Sequence, residues 1–154
     1  MNKKIIFIYG MPGNGKSYLG KELNNSILNS CYYNTDALFY NPNKKFKKHL
    51  DNFELYGAKG VCVYSLLNSE YVKPYMNELY DEIIKTIEEY KEYEIIILEG
   101  YCLKFFLNKL KEDYKNSLFI EMKMRVPYIM NTKIQNDNNK IENIIRFLEG
   151  YHND

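Results

Sequence analysis

The stretch from Gly10 to Ser17 constrains the fold of this 154-residue chain more than any other segment. It reads Gly-Met-Pro-Gly-Asn-Gly-Lys-Ser, which satisfies the G-x-x-x-x-G-K-[ST] phosphate-loop pattern, and an apolar run from Ile5 to Tyr9 directly precedes it. Such a loop needs a buried strand before it, a turn whose backbone N–H groups converge, and a helix whose N-terminus faces the ligand. The sequence supplies all three in order, which a ligand-free glycine-rich turn would not require.

The residue types within the motif predict how it binds a nucleotide. Gly13 and Gly15 permit backbone angles that other residues avoid and let the chain approach a phosphate closely. Lys16 is expected to reach the β- and γ-phosphates of ATP, and the Ser17 hydroxyl to ligate Mg²⁺. The predicted nucleotide-binding residues are Gly10, Met11, Pro12, Gly13, Asn14, Gly15, Lys16, Ser17 and Tyr18.

Strand-like and helix-like patterns alternate along the rest of the chain. This alternation predicts one α/β domain over residues 1–154, with a doubly wound parallel sheet of four to five strands and helices on both faces. In residues 57–72 the sequence signals for a turn and for an extended segment conflict, so no secondary structure is predicted there. The predicted strands are 4–9, 31–35, 95–99 and 117–122. The predicted helices span about 15–29, 74–93 and 102–114, a short one begins near residue 44, and a last one carries Ile141, Ile144, Ile145 and Leu148.

Two acidic residues follow predicted strands. Asp36 comes after the second strand and Glu99 ends the run Ile-Ile-Ile-Leu-Glu. Ligands of open α/β sheets bind at the carboxyl ends of the strands, so both acids are expected near the phosphate loop. Glu99 is predicted to hold Mg²⁺ directly or through water, the alternative being a cap on the next helix. For Asp36, an Asx-type turn, a helix cap and an outer role around Mg²⁺ remain open.

Composition excludes several other classes of protein. A net charge of +1 gives no overall field that would attract nucleic acid or an anionic membrane. The first apolar run is too short for a signal peptide, and no segment is long enough to span a bilayer. Cys31, Cys62 and Cys102 lack disulfide-like or metal-ligand spacing, so we expect reduced thiols in a cytoplasmic protein without a membrane partner.

The strand, the loop, Asp36 and the Ile-Ile-Ile-Leu-Glu-Gly segment together resemble the P-loop kinases, nearest to the nucleoside, gluconate, shikimate and polynucleotide 5′-hydroxyl kinases. The resemblance implies that Asp36 orients or deprotonates an acceptor hydroxyl. It also implies a lid at about 123–139, in which Arg125 contacts the transferring phosphoryl group; an ion pair with Glu121 is the alternative for Arg125.

The chain departs from the pattern of these kinases in two ways. The fifth strand and the adenine-contacting loop that usually follow the lid are not evident. The lid is also poor in arginine, so Lys123, Lys133 or Arg146 are further candidates for its cation.

The leading hypothesis is therefore a kinase that uses ATP and Mg²⁺ to phosphorylate a hydroxyl of a small metabolite or nucleoside bound by an insertion at about 40–72. One alternative is a polynucleotide 5′-hydroxyl kinase, in which Lys44 to Lys48, Tyr40, Phe46 and Tyr56 hold a strand end. The same lysines also fit a solvated helix face. The other alternative is a nucleotide-binding module without catalysis.

Overall fold

The computed structural model describes residues 4–53, 59–124, 126–129 and Ile144. Five strands and six α-helices lie within these ranges, together with 3₁₀ helices at Lys73–Tyr75 and Tyr101–Phe106. The strands are β1 (Lys4–Gly10), β2 (Ser30–Asn34), β3 (Ile95–Glu99), β4 (Leu118–Lys123) and β5 (Val126–Ile129). The helices are α1 (Lys16–Ser26), α2 (Ala37–Tyr40), α3 (Lys47–Phe53), α4 (Lys59–Leu67), α5 (Met76–Glu89) and α6 (Leu107–Asp113).

The five strands form one mostly parallel sheet in the order β2-β3-β1-β4-β5. β1 pairs in parallel with both β3 and β4, so the strand that leads into the phosphate loop is central. The predicted α/β class is confirmed. Because β3 is directly hydrogen-bonded to β1, with Ile8 opposite Glu99, the acid at the end of β3 is one strand away from the loop.

The strand β5 lies at one edge of the sheet. It pairs antiparallel with β4, with Lys123 opposite Val126, inside the segment predicted to be a lid. Antiparallel neighbours need only a short connection, and an edge position tolerates Pro127, which cannot donate a backbone hydrogen bond. That proline obscured the strand in the sequence. Of the predicted final helix, only Ile144 is described, and it is helical and fully buried.

Apolar side chains on alternate residues of the strands cover both faces of the sheet. On one face, Ile6 and Ile8 pack with Leu19 and Leu23 of α1 and with Ile144. On the other, Phe7 stacks on Phe119 with ring centroids 4.9 Å apart and lies 6.2 Å from Tyr114, which follows α6. Burial on both faces is what a nearly continuous apolar strand such as β1 requires.

The chain divides into two compact units, one of residues 1–33 and 90–154 and the other of residues 34–89. The second unit contains α2 to α5. The helix α4 lies within residues 57–72, for which the sequence predicted no secondary structure. In this helix Val63, Leu66 and Leu67 are buried at helical spacing. Gly57, Gly60 and nearby β-branched residues hid this helix in the sequence, because their intrinsic propensities oppose helix formation.

Two predicted helices differ from the observed ones in extent. α1 ends at Ser26 rather than Asn29, and Asn29 itself adopts a left-handed φ of 57°. The helix predicted from Cys102 to Tyr114 is a 3₁₀ helix followed by α6. Among the described residues, none of the helices combines the length and apolar character that crossing a membrane requires.

Candidate functional site

The phosphate loop connects β1 to α1 through glycines with positive φ. Gly13 has φ 85°, and Gly15, the residue before α1, has φ 88°. Gly10 is needed for space, since a Cβ there would lie 2.6 Å from the Met122 carbonyl oxygen on β4. The first turn of α1 carries no acidic residue, so its N–H groups and the positive end of the helix dipole remain suited to an anion.

Side chains within the loop hold its shape. Lys16 folds back, and its Nζ donates to the Met11 carbonyl at 3.0 Å. Asn14 Nδ2 donates to the Met122 carbonyl at 3.3 Å, which ties the loop to β4. The ammonium group therefore lies across a loop whose backbone can surround a phosphate. Tyr18, the last residue predicted to contact nucleotide, is 72% exposed.

The structure brings the two predicted metal-binding side chains into direct contact. Ser17 Oγ donates a hydrogen bond to Glu99 Oε1 at 2.8 Å. Glu99 is only 1% exposed, and a buried carboxylate is costly unless polar groups compensate it. The residue at the N-terminus of the following 3₁₀ helix is Gly100, which has no side chain that could cap it.

A second hydroxyl contacts the same carboxylate oxygen. The Tyr32 hydroxyl, from β2, donates to Glu99 Oε1. Sequence patterns do not reveal this residue, since a tyrosine in a short strand carries no motif. The ring of Tyr32 lies against Gly20 in the middle of α1. A glycine inside a helix can indicate that a bulky group packs closely against it, and in the sequence Gly20 is such a signal.

Hydroxyl and carboxylate oxygens are ligands suited to Mg²⁺, which keeps several waters and completes its shell with one or two protein groups and phosphate oxygens. Ser17 and Glu99 fit that requirement. Among the described residues, no group of three or more His, Cys, Asp or Glu side chains forms a separate metal cage. The donor set is therefore one that fits a metal held jointly by protein and nucleotide.

Asp36 lies in the second unit, just before α2, and is half-buried. Its backbone N–H donates to Asn34 Oδ1 at 2.8 Å, so the Asx-type turn at this point is made by Asn34. Among the described residues, no side-chain hydrogen bond caps α2. The helix-cap role considered for the Asp36 carboxylate is therefore not formed.

Four cationic residues were considered for the lid predicted at about 123–139, and the structure describes Lys123 among them. Arg125, Lys133 and Arg146 lie outside the described residues. Lys123 forms an ion pair with Glu121 at 3.7 Å, and its Nζ lies 5.4 Å from the centre of the Tyr128 ring. Glu121, the alternative partner considered for Arg125, thus has a cation from its own strand.

The lysine-rich segment from Lys44 to Lys48 was considered as part of a surface that binds the end of a nucleic-acid strand. Phe46 is fully buried, and its ring centroid lies 5.4 Å from that of Phe39 and 4.8 Å from that of His49. The prediction that Phe46 helps to hold the end of a nucleic-acid strand is therefore wrong. Lys44 pairs with Glu89 at 3.8 Å, and Lys47 pairs with Asp51 at 2.5 Å. Tyr56 lies outside the described residues. Phe46 faces the core because it shares a helical stripe with Leu50.

Tyr9, directly before the loop, has a perturbed acidity. Burial, and secondarily the negative charge of Glu121 opposite it on β4, raise the pKa of Tyr9 to about 12. Both causes disfavour the phenolate. The hydroxyl therefore stays neutral at physiological pH.

The raised pKa predicts how Tyr9 affects alkaline stability. From pH 10 to about 12 the unfolded state loses the tyrosine proton first, so the free energy of unfolding falls as pH rises. Tyr9→Phe should make this fall less steep, as measured by urea unfolding at several pH values. Tyr18→Phe, at an exposed tyrosine, is the control. Equal slopes for both variants would contradict the prediction.

In a comparison with protein-family models, the model of the RNA helicase family matches residues 6–92. The matched range is more than half of the 154 residues. The chain belongs to the RNA helicase family. Its matched domain is of the P-loop NTPase type, in agreement with the loop geometry. The family match ends at Glu92, before β3, so Glu99 lies beyond it. Comparison with curated proteins gives no match.

Proposed function

We propose that this protein binds ATP with Mg²⁺ and transfers the γ-phosphoryl group to a hydroxyl of a small metabolite or nucleoside. The observation that carries the nucleotide half of the proposal is the hydrogen bond from Ser17 to Glu99. It joins the first turn of α1 to the end of β3 and sets two oxygen ligands side by side next to the phosphate loop. A P-loop NTPase-type domain is consistent with that half.

The chain's own residues account for the binding. Backbone N–H groups of residues 13–17 and the positive end of α1 hold phosphate oxygens, and Lys16 moves from the Met11 carbonyl to the β- and γ-phosphates. Ser17 and Glu99 would hold the metal. The chemistry that Mg²⁺ supplies when bound is neutralisation of the charge on these phosphates. Phosphoryl transfer asks a protein mainly for such positioning and neutralisation.

The acceptor half of the proposal rests on Asp36. Its carboxylate follows a strand, is half-buried, and is not engaged in capping α2 within the described part of the chain. In the proposed reaction it accepts the proton of the acceptor hydroxyl as that oxygen attacks the γ-phosphorus, and ADP leaves. Arg125, by its place after β4, is proposed to contact the transferring group.

A label-transfer experiment tests the proposal. The protein is incubated with Mg²⁺ and ATP labelled at the γ-phosphate, against a panel of hydroxyl-bearing metabolites and nucleosides, and products are separated from inorganic phosphate. We expect label in a phosphate ester of one class of acceptor. ATP binding without any label transfer would instead support a nucleotide-binding module, and absence of ATP binding would refute both.

Membership of the RNA helicase family favours a second candidate, an RNA-stimulated nucleoside triphosphatase. The same experiment separates the two, because hydrolysis places the label in inorganic phosphate. Stimulation of phosphate release by added RNA would favour this candidate. RNA that becomes labelled at its 5′-hydroxyl would identify a polynucleotide kinase, whose RNA affinity should fall steeply with salt.

A further inference from the structure

Two hydroxyl groups from different parts of the first unit converge on one oxygen of Glu99. Ser17 donates from the phosphate loop side and Tyr32 from β2, both to Oε1. The Ser17 bond involves a side chain that the motif assigns to Mg²⁺. The Tyr32 bond comes from a strand outside the loop, and it can persist when Ser17 turns toward a metal.

The approach of Tyr32 depends on a glycine in the middle of α1. A Cβ at Gly20 would overlap Cε1 of the Tyr32 ring and lie 2.8 Å from Cδ1. Glycine inside a helix costs about 0.5–1 kcal/mol relative to alanine, so Gly20 weakens α1 intrinsically. Its presence is explained by the space that the tyrosine ring occupies between α1 and Glu99.

We propose that Tyr32 is a positioning residue for the magnesium site. Its hydroxyl fixes the Glu99 carboxylate beside Ser17 before the nucleotide arrives, so that the metal meets an ordered ligand. The inference rests on the proposed binding of nucleotide with Mg²⁺ and assigns a residue to that site which lies outside the phosphate-loop motif. It does not depend on which acceptor is phosphorylated.

Tyr32→Phe tests this role, because it removes the hydroxyl and keeps the ring against Gly20. Binding of a fluorescent ATP analogue is titrated with Mg²⁺, without any turnover measurement. The Mg²⁺ concentration at half-saturation should rise roughly tenfold, the effect of losing a hydrogen bond to a charged group. Nucleotide affinity without Mg²⁺ should be unchanged. Tyr33→Phe, the neighbouring tyrosine of β2, is the matched control and should leave both quantities unchanged.

Gly20→Ala provides a second test if Tyr32→Phe does not fold. It keeps the hydroxyl but displaces the ring, and it should raise the Mg²⁺ requirement in the same direction. In a Glu99→Gln background, adding Tyr32→Phe should have no further effect. A folded Tyr32→Phe protein with wild-type Mg²⁺ dependence would overturn this inference alone. Wild-type protein whose nucleotide binding does not respond to Mg²⁺ would overturn the proposed function as well.

Discussion

Replacing Lys16 by alanine should lower ATP affinity by at least about 30-fold, since truncating one partner of a desolvated charge pair costs about 2–5 kcal/mol. Backbone N–H groups can still surround a phosphate, but they cannot replace a full positive charge on the β- and γ-phosphates. Phosphoryl transfer should fall with binding. Calorimetric titration with ATP and Mg²⁺ measures the affinity, and circular dichroism checks that the fold is intact.

Lys21→Ala is the matched control for this prediction. Lys21 lies five residues further along α1 and is exposed, so the variant changes the net charge equally without touching the loop. Its ATP affinity should remain within about twofold of wild type, because exposed charges contribute little. If the two variants bind ATP equally well, the phosphate-loop assignment of Lys16 would be wrong.

Replacing Asp36 by asparagine should lower label transfer to the acceptor by about 10²–10⁴-fold, the usual contribution of a general acid or base. ATP affinity should remain near that of wild type, because the substitution keeps the shape of the side chain and leaves the loop intact. Single-turnover transfer and ATP titration on the same sample separate the two effects.

Asp81→Asn, at an exposed acid of α5, is the control for lost charge in the second unit and should transfer label normally. Equal losses of ATP affinity and transfer in Asp36→Asn would assign Asp36 to the metal site instead of the acceptor. Wild-type label transfer by Asp36→Asn would show that the Asp36 carboxylate is not the base, and it would refute the proposed role.

Local sequence patterns predicted much of the sheet. β1 and β3 were recognisable because strands buried on both faces are nearly continuous in apolar residues, and the loop because its spacing is specific. β5 and α4 were not recognisable, since their residues oppose the structure that they adopt. Pro127 is acceptable only at a sheet edge, and α4 is helical because Val63, Leu66 and Leu67 are buried.

Sequence by itself determined the phosphate loop, its strand and helix, and the position of an acid at the end of β3, because each depends on residues close together in the chain. Only the tertiary structure decided what surrounds that acid. Ser17, Tyr32 and Glu99 belong to three different elements and meet through the order of the strands. The need for glycine at position 20 is evident only in the structure, where the Tyr32 ring packs against it. Buried hydrogen bonds between distant segments leave no spacing pattern, so folding is what defines this part of the site.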